Sequence, residues 1–177
     1  MATSTTRLMS FEEFEKLPDH PGGRYELYHG EAIFVPPPKY GHNLIQLRLL
    51  SLLGRAAGNT GVVTMEMGFR PRPDHEYWIA DVAFVEKTRS DAIPRDGYPM
   101  GAPELVIEVL SPSNTVAKMN DRRKTCLANG SVEFWAVDIN LRQVAVSTRD
   151  GQTITYKAGQ TIPLLFGGQI AVDEIFA

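Results

Sequence analysis

The sequence predicts a mixed α/β domain, a central mixed β-sheet flanked by helices, with additional β-hairpins. Three observations lead there. Short apolar segments such as WIADVAFV and ELVIEVL alternate along the chain with two helical segments, Asn43 to Ala57 and Thr115 to Asn129. His29-Gly30 and Asp150-Gly151 each separate two runs of alternating residues, the pattern of a hairpin. A chain of 177 residues, 43% of them hydrophobic, is enough for one core, so residues 1–177 are expected to form one domain with its core between about 11 and 176.

The elements follow in order. Ser10 and Glu13 have the spacing of a capping box, and Phe11, Phe14 and Leu17 give the short helix behind it an apolar side. PDHPGG breaks the chain, and RYELYHGEAIFVP reads as the first hairpin. Between Asn43 and Ala57 the apolar residues are dense enough for a helix buried on more than one side, stopped at Gly58-Asn59. VVTMEMGFRPRP and WIADVAFVEK read as strands joined around Pro73-Asp74, and Thr88 to Pro103, with three prolines and two glycines, as an irregular loop. ELVIEVL is a strand, Ser111-Pro112-Ser113 a turn, and Gly130 the stop of the helix that follows. Phe134 to Asp138 is a short strand, QVAVSTRDGQTITYK the second hairpin, and the tail IPLLFGGQIAVDEIF one short strand and a final turn.

Composition excludes several functions. The net charge of -3 offers no general attraction to nucleic acid, so binding there would need a local basic patch. Cys126 is the lone cysteine, which rules out an internal disulfide and a cysteine zinc site. No apolar run approaches the roughly 20 residues that span a bilayer, and the N-terminus lacks the apolar core of a signal peptide. A cytoplasmic protein with no membrane partner is expected. Gly41, Gly58 and Gly61 do not form a phosphate loop, and no base-reading motif is visible.

The acids are more informative. Successive strand side chains point to opposite faces. Parity puts Trp78, Ala80, Val82 and Phe84 on one face, and Asp81 with Ile79, Ala83 and Val85 on the other. Glu108 likewise shares a face with Val106 and Leu110, and Glu26 alternates with Tyr25 and Leu27. Apolar neighbours mean covered faces, and a covered carboxylate is costly unless paired or bound to a cation. Either these acids pair with Arg70, Arg72 or Arg123, or they gather around a divalent ion, for which Mg²⁺ suits an all-oxygen site. Glu66 has the same parity, but its strand is flanked by charges and reads as a solvated hairpin face.

RYELYHGE, PPPKYGHNLI, ADVAFV, PELVIEVLSPSNT and GSVEFWAVD, in this order and spacing, resemble the Uma2 family of restriction-endonuclease-like proteins, within the PD-(D/E)XK nuclease superfamily. The resemblance runs from about Phe11 to Phe176. It implies a restriction endonuclease-like fold and a metal-dependent endonuclease that hydrolyses DNA phosphodiester bonds with Mg²⁺ or Mn²⁺. The family's acids fall on Glu26, Asp81 and Glu108, with Asp81 and Glu108 as metal ligands. The superfamily lysine, two residues after the acid, is here Leu110; the family's shift of that base onto the next helix places it at Arg122. An arginine can hold a phosphate oxygen but stays charged and cannot act as a proton acceptor.

Lys118 lies one turn earlier on a similar side of that helix and Lys124 roughly 200° away. Arg122, or Lys118 or Lys124 if either reaches, would clamp the scissile phosphate, and His42 would touch substrate. This basic cluster equally fits a solvated helix face. Cutting both strands implies a homodimer with DNA as partner. The arginine at 122 and the modest basic content also fit an alternative: a catalytically weak or inactive nuclease-fold protein that binds nucleic acid or protein.

Overall fold

In a computed structural model, which describes residues 7–112 and 114–177, the local signals act much as expected. Ser10 Oγ accepts from the Glu13 N–H at 3.2 Å and Glu13 Oε2 from the Ser10 N–H at 2.9 Å, opening α1 (Phe11–Phe14). His29 and Gly30, with φ of 52° and 79°, make the tight turn between β1 (Arg24–Tyr28) and β2 (Glu31–Val35). The long apolar helix α2 is Tyr40–Ala57, three residues earlier than the apolar run suggests. Then come β3 (Gly61–Phe69), β4 (Trp78–Glu86), α3 (Lys87–Ala92), β5 (Leu105–Val109), α4 (Val116–Ala128), β6 (Glu133–Asp138), β7 (Gln143–Thr148) and β8 (Thr153–Tyr156). Thr115 Oγ1 caps α4 by accepting from the Lys118 N–H, and Gly130, at φ 138°, follows its end. The tail holds β9 (Thr161–Pro163), β10 (Gln169–Ala171) and α5 (Val172–Ile175).

Two loop expectations change. The segment read as loop begins with α3, which buries none of its residues and so leaves no apolar periodicity to read. The tail forms a two-stranded sheet and a helical turn rather than one strand. Residues 1–6 and Ser113, and with them part of the expected Ser111-Pro112-Ser113 turn, lie outside the described residues.

β3 to β8 form one six-stranded sheet in sequence order. Every neighbouring pair is antiparallel except β5–β6, whose parallel connection runs through α4. The sheet is therefore mixed and covered on both faces. One apolar layer joins Ile45, Leu49, Leu52 and Leu53 of α2 to Ile107, Val109, Trp135 and Val144. The other joins Cys126 of α4 to Val106, Phe134 and Ala83. Each buried Leu or Ile in these layers contributes about 1.5–3 kcal/mol.

Simple alternation fails at one place. Val82 and Phe84 lie in the α2 layer, whereas Trp78 and Ala80 lie in the α4 layer, so β4 exchanges faces at Asp81. Its partner does the same, with Val63 and Met65 against the α2 layer and Met67 and Phe69 in the other. The residue between them, Glu66, falls with Asp81 at the step the β3–β4 pairing skips, between Met65↔Val82 and Met67↔Ala80, and has φ 56°, a left-handed conformation unusual for a residue other than glycine. This local twist corrects the expected shared face of Trp78, Ala80, Val82 and Phe84. It also brings Asp81 to a point where it can turn toward α2.

Candidate active site

The paired part of β4 and β5 ends at Val82↔Ile107. Past it, Asp81 takes the place of a backbone partner: its Oδ2 accepts from the Val109 N–H at 2.7 Å. Gln46 Nε2, from α2, donates to Asp81 Oδ1 at 3.1 Å and also to Glu66 Oε1. His42 Nε2 lies 3.2 Å from Asp81 Oδ2 and 3.1 Å from the Val109 carbonyl. Burial pulls the His42 imidazole down, but the Asp81 carboxylate, Gln46 and the carbonyl outweigh it, and its pKa rises above the usual histidine value.

Glu108 follows the parity of Val106 and meets α4. There Arg122 is buried, 3% exposed, and both its terminal nitrogens are engaged, while its Nε has no partner among the described residues. Its Nη1 donates to both oxygens of Glu26 at 3.0 Å, and its Nη2 to Glu108 Oε1 at 2.7 Å and to the Ile79 carbonyl at 3.0 Å. The Ile79 N–H donates to Glu26 Oε1 at 2.9 Å, which ties the β1 acid to β4. The guanidinium carbon stands 5.0 Å from the centre of the Trp78 ring. Burial opposes the charge on Arg122, but Glu108 and Glu26 outweigh it and its pKa is raised. Burial pushes the Glu108 carboxyl up, and Asp81 and Glu26 add to the push against the pull of Arg122.

Two neighbouring groups thus flank β4: Glu26, Glu108 and Arg122 beside Ile79, and Asp81 with His42 and Gln46 toward α2. Lys118 reaches the edge, with Nζ 3.9 Å from Glu26 Oε2 and 5.2 Å from the centre of the Tyr28 ring. Lys124 does not; it is exposed beside Arg123, Leu127, Arg149 and Gln152 on another flank of α4. Two participants went unread in the sequence. Gln46 is fully buried on α2, and its signal was a lone amide at helical spacing from Leu49 and Leu53. Glu66, read as a solvated face, is instead held by Gln46 and Arg24.

A second polar knot adjoins the first. Trp78 Nε1 donates to the buried Glu76 at 2.8 Å, and His29 Nδ1 lies 2.5 Å from the same carboxylate. His29 Nε2 lies 3.0 Å from Asp121, which also accepts from Tyr28 Oη at 2.5 Å. Burial and the Asp121 carboxylate hold the Tyr28 phenol well above its usual range.

The donor chemistry suits a hard divalent cation, since all three acids offer carboxylate oxygens. Their placement does not. Arg122 holds both oxygens of Glu26 and one of Glu108, while Asp81 is turned to Val109, Gln46 and His42. Among the described residues no three His, Cys, Asp or Glu side chains converge to hold a metal. None of their helices is long and apolar enough to cross a membrane.

Comparison with known proteins agrees with the fold. A family model described as "Uma2: Putative restriction endonuclease" matches residues 11–174. The crystal structure of a "putative nuclease belonging to DUF820" from Anabaena variabilis superposes with a TM-score of 0.81 at 21% identity, over 95% of this chain and 97% of that one. The likeness shows a shared fold. No curated protein matches the chain.

Proposed function

Since the chain belongs to the Uma2 family, we propose that it is an endonuclease acting on DNA phosphodiester bonds, with Glu26, Asp81 and Glu108 as its acids. The observation that supports this reading is that Arg122 joins Glu26 to Glu108 beside Ile79, while Asp81, two residues along β4, accepts from the backbone of Val109, the residue after Glu108. A carboxylate there accepts the proton of an attacking water, and an adjacent cation offsets the charge of the phosphate. Lys118, 29% exposed at the edge of the site, is better placed to meet a phosphate than Arg122. Lys124 belongs to DNA contact away from the acids. Mg²⁺ or Mn²⁺ enters this reading only in a state where Arg122 has released the carboxylates. A homodimer belongs to it insofar as both strands are cut.

The test is incubation of supercoiled plasmid with purified protein in Mg²⁺, Mn²⁺ or EDTA. Nicking is expected, reduced at least about 100-fold in Asp81→Ala and Glu108→Ala. DNA left intact by folded protein under every condition would remove the enzymatic reading.

The engagement of Arg122 by two acids favours a second reading, a catalytically weak or inactive protein that binds DNA. In that case a gel shift persists and weakens with salt, while the plasmid stays closed.

A further inference from the structure

One buried guanidinium already occupies the carboxylates that a divalent ion would need. Both oxygens of Glu26 accept from Arg122 Nη1, and Glu26 Oε1 also accepts from the Ile79 N–H. Glu108 Oε1 accepts from Nη2, which reaches on to the Ile79 carbonyl. A metal on those oxygens would stand directly beside the guanidinium, cation against cation. A divalent ion added between Glu26 and Glu108 would also set three positive charges against two negative ones in a nearly dry site.

Nor is there an easy exit. Arginine does not leave by losing its proton. The side chain is fixed at its tip by four hydrogen bonds and faces the Trp78 ring, and the neighbouring Thr125 and Cys126 anchor α4 in the core. A lysine in its place would be different, because one ammonium cannot fork between two carboxylates as a planar guanidinium does.

We propose that Arg122 is the resident cation of this site, and that Glu26 and Glu108 take up a divalent metal only when its guanidinium is removed or displaced. The free protein is therefore closed to metal by its own side chain. This rests on Glu26, Asp81 and Glu108 being the acids of the site.

Titration of MnCl2 into DNA-free protein, followed by calorimetry, tests it. Wild type is expected to show no saturable binding at millimolar Mn²⁺. Arg122→Met is expected to gain one site at least tenfold tighter, which Glu108→Gln in the same protein removes. Mn²⁺ should raise the melting temperature of Arg122→Met and leave that of wild type unchanged. Arg122→Lys, which keeps a cation and is the safer variant to fold, is expected to gain binding of intermediate strength. Saturable binding to wild type that Glu108→Gln abolishes would overturn the proposal. So would folded Arg122→Met and Arg122→Lys proteins that gain nothing. If neither variant folds, the wild-type titration alone decides.

The outcome separates from that of the functional reading. Cleavage lost in Asp81→Ala and Glu108→Ala, with no gain of Mn²⁺ affinity on changing Arg122, would leave the endonuclease standing and the resident cation refuted. Gained Mn²⁺ affinity without cleavage by any variant would do the reverse.

Discussion

Arg122 shows how a single residue decides the state of the site. Glu26, Glu108 and Arg122 are 5%, 7% and 3% exposed, so none of the three charges is well hydrated. Removing one member of such a group is worse than removing all of them, because the remainder stays buried without compensation. We expect Arg122→Met to destabilise the protein by about 3–5 kcal/mol in urea denaturation at neutral pH. The triple variant Glu26→Gln, Glu108→Gln, Arg122→Met should recover most of that loss. Additive losses from the three changes would mean that the residues are not one charge network. Asp81 and Glu108 stand out in the sequence because each interrupts an apolar strand face, and Glu26 because it alternates with Tyr25 and Leu27. Their partners do not. Alternation tells which face a side chain leaves from, and it carries no record of the Gln46 amide or of the arginine on α4 that it meets. Glu66 was misread for the same reason, as its flanking charges suggested solvent and its left-handed backbone left no mark in the pattern.

At the scale of elements, the legible pieces were those with a long period or a strong turn signal. α2, α4, both hairpins and the central strands were anticipated from sequence. α3 was not, since KTRSDA has no buried side to declare it, and β9 and β10 are too short for alternation to register. Parity located Glu108 correctly and misassigned half of β4, because two paired strands exchange faces together at Glu66 and Asp81. The end of α4 offers a test of an element boundary. Gly130 has φ 138°, and a Cβ there would press on the backbone of Ala102. Gly151 in the β7–β8 turn, at φ 85°, faces open space. Strain alone costs about 1–3 kcal/mol at a sparsely populated backbone position. Gly130→Ala should therefore lower stability by more than Gly151→Ala in parallel urea melts. Equal losses would show that the contact with Ala102 plays no part.

For the whole molecule the question is whether the two covering layers open as one unit. Cys126 reports on this because it lies at the centre of the α4 layer, fully buried, one turn beyond Arg122. Burial pushes its thiol far up, with Glu108 and Asp121 adding to the push against the pull of Arg122. The native protein should therefore resist alkylation by iodoacetamide at pH 8. Its labelling should be slower than in urea by at least about a thousandfold, as a domain stable by 5 kcal/mol or more requires. The same shift has a sign in pH. A thiol whose pKa is raised by folding favours the native state fully below its unfolded value of about 8.5, and that advantage declines as pH rises past it. The stability of wild type relative to Cys126→Ala should then shrink by about 1.4 kcal/mol for each pH unit above about 9. Groups that titrate in both proteins cancel in that difference. A constant difference from pH 8 to 10, or native labelling as fast as in urea, would mean that α4 is not docked as a cooperative layer. The charge network that depends on that docking would then have no fixed frame.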